Sequence, residues 1–323
     1  MPDSPLSAEA PAGRPLLSLA GLTPDDLGFV ADLASEFGRD PGRFAGLLAG
    51  SRVGLLFTAP STRTRTSFWS AATTLGCHII HFGPGDIQVS TGETWFDTGS
   101  VLATYLDAVV ARTNGPQADL EEMATAMPAV VNALTKEEHP TQSVADLSAL
   151  REYFGPDARP GIAYLGPVNN TARSLAQLVS LRDGMRLDVY SPAGHGLGEA
   201  ELVELNRLAG REAVRQFDTI PAAPEPVDAV YTCRWQSMGS APEGAGEGWI
   251  EAFRPFAVSR ETLRLFGDGK PAVFLHDLPA IRGQEATSDV LDGEGSLVAR
   301  QVFHKRSAAA AALIWTLRGR DIG

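Results

Sequence analysis

Five consecutive residues, Ser61-Thr62-Arg63-Thr64-Arg65, bring three hydroxyls and two guanidiniums together. Just before them Val53-Gly-Leu-Leu-Phe57 predicts a strand, Pro60 a turn, and the segment itself the opening of a helix. A helix start exposes unpaired backbone N–H groups and a partial positive charge, so it attracts anions. The added side chains supply many donors and no acid, a set suited to a phosphate or phosphoryl group. A capped helix with arginines in solvent is the plain alternative, and it leaves the crowding of donors after a strand without a reason. A second pair, His139 and Gln142, stands three residues apart after a predicted strand, a spacing that lets both face one cleft. Gly196-Leu-Gly198 does not complete a GxGxxG pattern and no strand directly precedes it, so no dinucleotide cofactor is expected. No CxxC, HExxH or acidic cluster offers a metal site, so neither cofactor nor metal is expected.

Short apolar strands alternating with helical stretches must position these groups. Strands are predicted at Val53–Phe57, His78–Phe82, Ala108–Ala111 and Ala129–Asn132, with helices at Thr64–Leu75, Thr98–Tyr105 and Gln142–Tyr153. The pattern restarts with strands at Gly161–Leu165, Leu187–Tyr190, Asp228–Tyr231 and Ala272–Leu275, and helices at Asn170–Leu181 and Glu199–Leu208. Continuous apolar strands between helices predict parallel sheets covered on both faces, hence an α/β fold of two doubly wound domains joined by helices. Ser18–Leu48 reads as two amphipathic helices, the first capped by Thr23. Residues 1–15, with four prolines and no apolar period, are expected to form a mobile extension. The Gly/Pro-rich stretch Phe154-Gly-Pro-Asp-Ala-Arg-Pro160 marks the joint, dividing the chain into residues 16–153 and 154–303, with a last helix over 304–323.

Across 323 residues, 44% are hydrophobic and 20% charged, the balance of a globular chain and not of a disordered or coiled-coil one. The net charge of −12 disfavours nucleic acid and anionic membranes as partners, so an anionic substrate would need arginines gathered locally. Arginine dominates the basic residues, with only Lys136, Lys270 and Lys305 as lysines. Two cysteines, Cys77 and Cys233, make no disulfide framework, which suits a reducing, cytoplasmic setting. The N-terminus lacks the basic and apolar regions of a secretory signal, and the apolar stretch Ala308–Leu317 is too short to span a bilayer.

The Ser61–Arg65 stretch followed by Ser67-Phe68 resembles the carbamoyl-phosphate loop of the aspartate/ornithine carbamoyltransferase family. Further matches follow in the family's order: Gly83-Pro-Gly-Asp-Ile-Gln88, Gly92-Glu93, Arg112 at the end of its strand, Asn132–Thr135 and His139-Pro-Thr-Gln142. In the second half Asn169-Asn170, Ser237-Met238-Gly239, and His276-Asp-Leu-Pro279 with Arg282-Gly283 and Glu285 resemble the ornithine branch. The resemblance implies that Ser61, Thr62, Arg63 and Thr64 hold phosphate, with Gln88 nearby. It implies that Thr64, Arg112 and His139 polarise the carbamoyl oxygen, and that Gln142, Leu278 and Arg282 hold the rest of the carbamoyl group. Arg63, Thr64, Arg112, His139 and Asp277 are the implied catalytic set. Asn170, Cys233, Arg234, Ser237, Met238 and Asp277 are the implied acceptor site. The last helix is expected to cross back to the first domain, and a homotrimer, or a multiple of one, with sites at subunit interfaces follows from the same likeness.

Several positions depart from the family pattern. Ornithine enzymes carry Cys where this chain has Asp277, and Asp where it has Cys233, so an acid and a sulfur have changed places. Thr91 stands for the usual mobile-loop Lys, which leaves Trp95 as a candidate contributor to a neighbouring site. Trp69 stands for the usual Glu after Ser-Phe, which takes a partner from Arg65. The implied activity is carbamoyl transfer to the side-chain amine of an ornithine-like or shorter diamino acid, such as a 2,3-diaminopropionate unit in specialised (antibiotic-type) metabolism. Ordinary ornithine carbamoylation is the nearest alternative. Aspartate carbamoylation is another, raised by Arg234, Gln236, Pro60 and Thr141. A non-catalytic carbamoyl-phosphate-binding relative is the third, raised by Thr91 and the altered acceptor loop.

Overall fold

The computed structural model of the protein describes residues 13–236 and 249–322. They fall into two units, one running to Ser148 and resumed from Phe303, the other spanning Ala149–Val302. The first unit holds α1 (Pro24–Arg39), β1 (Arg52–Phe57), α2 (Thr62–Thr74), β2 (His78–Phe82), α3 (Trp95–Ala103), β3 (Ala108–Arg112), α4 (Gln117–Ala126) and β4 (Val130–Leu134). The chain passes onward within α5 (Pro140–Phe154). The second unit holds β5 (Gly161–Leu165), α6 (Asn170–Leu181), β6 (Arg186–Tyr190), α7 (Glu199–Ala209), β7 (Val214–Phe217) and β8 (Ala229–Thr232). It continues through α8 (Trp249–Phe253), α9 (Arg260–Phe266), β9 (Val273–His276) and α10 (Ser288–Leu291), and α11 (Val298–Arg318) leads back into the first unit.

Each unit is a parallel sheet, ordered β2-β1-β3-β4 in the first and β7-β6-β5-β8-β9 in the second. Apolar runs become strands because both faces are covered: β3 and β4 are buried at every position. Leu102 and Leu106, the latter just past the end of α3, and Leu120 and Met123 of α4 pack on Leu56, Val109 and Val130. At Gly99 of α3 an added Cβ would lie 2.8 Å from the Met123 carbonyl oxygen, so only glycine lets α3 and α4 meet that closely. In the second unit Ala163, Val230 and Phe274 of adjacent strands pack with Phe256 and Phe266.

Strand order reverses between β1 and β3 in the first sheet and between β5 and β8 in the second. Open parallel sheets bind ligands at the carboxyl ends of strands beside such a reversal, where the crossover helices leave to opposite faces. Phe57 and Arg112 are register partners at the ends of β1 and β3. Thr232 and His276 are register partners at the ends of β8 and β9. The residues singled out for chemistry therefore follow from strand ends.

Several expectations need correction. The second helix expected before Leu48 is a single 3₁₀ turn, Pro41–Phe44, because Asp40 ends α1 and caps the turn while Gly46 adopts φ +76°. Thr23 does cap α1, in a reciprocal box with Asp26. The short strand β7 and helices α4 and α9 carry too little apolar periodicity to have been anticipated, and α11 begins six residues before the expected His304. Of the expected N-terminal extension, residues 1–12 lie outside the described residues. Arg14 donates its backbone N–H to Thr316 O, and buried Leu16 bridges to β4.

Candidate active site

The first cluster is built on the start of α2. Ser61 is the N-cap residue, yet its hydroxyl makes no capping bond, and Oγ is buried with no hydrogen-bond partner among the described residues. No acidic residue occupies the first turn. The first backbone N–H groups of a helix have no intrahelical acceptor, so this start presents donors alone. Thr62 is exposed, Arg63 half-buried and Thr64 buried. The Arg65 guanidinium lies 5.2 Å from the centre of the Phe57 ring, a cation–π contact that gives it an apolar seat.

Arg112, buried at the end of β3, donates from Nη1 to Thr64 Oγ1 at 3.2 Å. A register irregularity between Ala111 and Arg112 lies just where the strand must aim that side chain. His139 precedes α5 and is 4% exposed, with Thr141 Oγ1 3.5 Å from its Nδ1. Burial pushes the His139 imidazole well below its ordinary range, and the charges of Lys305 and Arg112 push it further. It is therefore neutral at pH 7. Gln142 donates from Nε2 to fully buried Asp146 at 2.8 Å and accepts from the Lys305 ammonium on α11. Thus Thr64, Arg112, His139 and Gln142 are brought together with Lys305, which sequence reading missed. The available signal was a lysine, rare in this chain, at the head of an alanine run that buries on every side. Gln88 stands apart on an exposed 3₁₀ turn, where its Oε1 accepts from Thr91 Oγ1.

The second cluster, in the other unit, gathers at the ends of β5, β8 and β9. Cys233 is buried and its sulfur lies 2.7 Å from the Tyr164 hydroxyl and 3.1 Å from Asn169 Nδ2, which donates to it. Tyr164 in turn donates to Pro167 O at 2.8 Å. Burial, and secondarily the Asp277 charge, pushes the Cys233 thiol well above its ordinary range, so it stays protonated. Asn169 also caps α6, accepting from Ala172 N; Asn170 is half-buried beside it. Asp277 Oδ2 accepts from Thr171 Oγ1 at 2.9 Å. The loop carrying Asp277 is held by His276, whose Nδ1 accepts from Leu278 N at 2.8 Å. Its Nε2 lies 3.3 Å from Glu285 Oε1, and both side chains are fully buried. Leu278 adopts φ +57°, a left-handed conformation that costs a leucine energy and is kept by those contacts.

Arg234 Nε and Trp235 Nε1 are buried without a partner among the described residues. Arg282 is exposed and engaged by Asp292 through two bonds of 2.6 and 2.9 Å, not by the Cys233–Asp277 cluster. Ser237 and Met238 lie outside the described residues. Trp69 is 49% exposed and Thr91 turns back onto Gln88. Among the described residues no group of three or more His, Cys, Asp or Glu side chains could hold a metal ion, and no helix is long and apolar enough to cross a membrane.

Residues 14–152 match the family model of the aspartate/ornithine carbamoyltransferase carbamoyl-P binding domain, and residues 160–316 that of the Asp/Orn binding domain. The ornithine carbamoyltransferase of Haloquadratum walsbyi is 35% identical over 306 residues, covering 94% of this chain and 98% of that protein. That of Ignicoccus hospitalis is 36% identical over 311 residues, covering 93% and 97%. The solved ornithine carbamoyltransferase of Pyrococcus furiosus matches with a TM-score of 0.85 at 32% identity, covering 96% of this chain and 99% of that one. The chain belongs to the aspartate/ornithine carbamoyltransferase family and is a carbamoyltransferase.

Proposed function

We propose that the protein transfers the carbamoyl group of carbamoyl phosphate to the side-chain amine of an ornithine-like or shorter diamino acid, releasing phosphate. The observation that carries the donor half is Ser61, a buried N-cap hydroxyl that caps nothing at an acid-free helix start. Ser61, Thr62, Arg63 and Thr64 grip the phosphate, and Gln88 is a further candidate there. The amine nitrogen bonds to the carbamoyl carbon while the bond from that carbon to the phosphate oxygen breaks. Phosphate leaves with the electron pair and the amine gives up a proton. Negative charge gathers on the carbonyl oxygen in between, and fixed donors aimed at it lower the barrier. Arg112 and Thr64 are such donors, and His139, held neutral by burial and two cations, acts as a hydrogen-bonding imidazole and not as an acid. Gln142 completes the carbamoyl side in the first unit, while Leu278 and Arg282, the latter engaged by Asp292, stay candidates only.

For the acceptor, the carboxylate of Asp277 anchors an ammonium or takes its proton, while Cys233, a neutral thiol, supplies no charge. Asn170, Arg234, Ser237 and Met238 are the remaining candidates. The named relatives favour ornithine, and the carboxylate at Asp277 favours a shorter chain. The test is a panel of ornithine, 2,4-diaminobutyrate, 2,3-diaminopropionate and aspartate with carbamoyl phosphate, following the ureido product. Preference for ornithine rejects the shorter acceptor and with it a specialised (antibiotic-type) pathway. Preference for aspartate moves the protein to the other branch. Carbamoyl-phosphate binding with no product from any amine makes it a binding protein. The exposed apolar side chains Trp69, Ile80, Phe96 and Tyr105 of the first unit suit association of copies, and a homotrimer or a multiple of it is the proposed state, read by light scattering.

A further inference from the structure

We propose that the acceptor is a diamino acid whose α-nitrogen is acylated, so that it brings a single free amine to the second cluster. The inference rests on the proposed function in taking the protein to carbamoylate an amine, and it narrows the class of that amine. A free diamino acid carries two basic nitrogens. The one that attacks must first lose its proton, and the other stays an ammonium that must be paired. A carboxylate that has taken up the first proton has no charge left for the second nitrogen. Among the described residues the cluster exposes one carboxylate, Asp277, whose side chain is 18% exposed and accepts from Thr171 Oγ1. Glu285 is fully buried against His276, and its Oε1 accepts from Ile281 N. One reachable carboxylate serves one amine.

The neighbouring position repels a second ammonium. Cys233 is buried, its sulfur lies 2.7 Å from the Tyr164 hydroxyl and accepts from Asn169 Nδ2 at 3.1 Å, and burial keeps the thiol protonated. Two further buried donors follow it, Arg234 Nε and Trp235 Nε1, both without a partner among the described residues. An ammonium only donates, so it satisfies none of these groups, and burying it unpaired is costly. An amide is uncharged and its carbonyl oxygen accepts, which is what an end furnished with donors requires. A Cys233 that only filled space would affect stability and leave the ranking of acceptors alone.

The experiment gives the full chain matched pairs of acceptors at saturating carbamoyl phosphate: 2,3-diaminopropionate and ornithine, each free and as its Nα-acetyl derivative. Ureido product gives kcat/KM for each. Within the pair of preferred chain length, the acetylated member should be favoured by about tenfold or more, chiefly through KM. Cys233→Asp puts a second carboxylate at the end of β8 and should turn the ranking toward the free diamino acid by a similar factor. Cys233→Ser keeps an uncharged group of similar size and should keep the wild-type ranking. A wild-type ratio below about threefold, or a preference for the free members, would overturn the proposal, as would a folded Cys233→Asp that ranks the pair as wild type does. If Cys233→Asp does not fold, the wild-type ratio and Cys233→Ser decide. No product from any of the four overturns the proposed function instead. Calorimetry with the same compounds then judges the acceptor class alone: tighter binding of the acetylated members upholds it, and equal or weaker binding sinks it.

Discussion

Arg112→Met tests the oxyanion reading most directly. Methionine keeps an unbranched apolar stem in the buried end of β3 and deletes the guanidinium. Two things go with it: the 3.2 Å bond that fixes Thr64 Oγ1, and one of the two cations facing His139. Removing a donor aimed at a developing oxyanion costs about 10²–10³ in kcat, or about 3–4 kcal/mol of barrier. The helix start proposed to grip phosphate is untouched, so the affinity for inorganic phosphate should fall far less than kcat. With one cation gone the His139 imidazole takes a proton more readily, and the acid limb of kcat should shift to higher pH. The assay is ureido-product formation at saturating substrates from pH 5.5 to 9, on protein whose far-ultraviolet dichroism matches wild type. A variant that folds and keeps kcat within about threefold of wild type would refute the assignment, since so small a change is under 1 kcal/mol.

Ser61→Ala should leave thermal stability almost unchanged, although losing a working N-cap costs about 1 kcal/mol, because this serine makes no capping bond; calorimetry should show weaker carbamoyl-phosphate binding. Stability should fall in mild acid through His139. Its folded-state value is depressed below the ordinary 6.5, so its contribution is complete above that pH and is lost as pH drops toward the folded value. Urea titrations at pH 7 and 5 should differ by up to about 2 kcal/mol from this group, and His139→Gln should narrow the gap. Both cysteines should label slowly with iodoacetamide at neutral pH in the native protein and quickly in denaturant. Burial holds Cys233 well above its ordinary range and raises Cys77 to about 11.

The donor cluster was legible in the sequence because its chemistry is compressed into five neighbouring residues after a strong strand. Arg112 needed only the end of the next strand. Lys305 was harder to read: it joins Gln142 from 163 positions away, and its one local signal, a rare lysine at the head of a buried alanine run, names no partner. The His276–Glu285 contact was hidden because Glu285 lies in the loop after β9, and the return of that loop onto the strand end is set by tertiary packing. Helices α2, α5, α6 and α7 were read to within two residues, whereas α11 begins six residues early and β7, of four residues, offered too short a run to show a period. The turn at Pro41 was misread because apolar spacing persists there while Asp40 and the glycines halt the helix.

Cys233 and Asp277 each follow one member of a register pair, Thr232 and His276, on neighbouring parallel strands. The two positions thus lie just past the ends of adjacent strands, which in a sheet stand about 4.8 Å apart. Exchanging a carboxylate between the two positions moves the charge from one strand end to its neighbour's while the backbone bonds of the ladder stay as they were. Under the proposed function, two substitutions would change the reach of the amine anchor and leave the proposed phosphate site on the other sheet untouched.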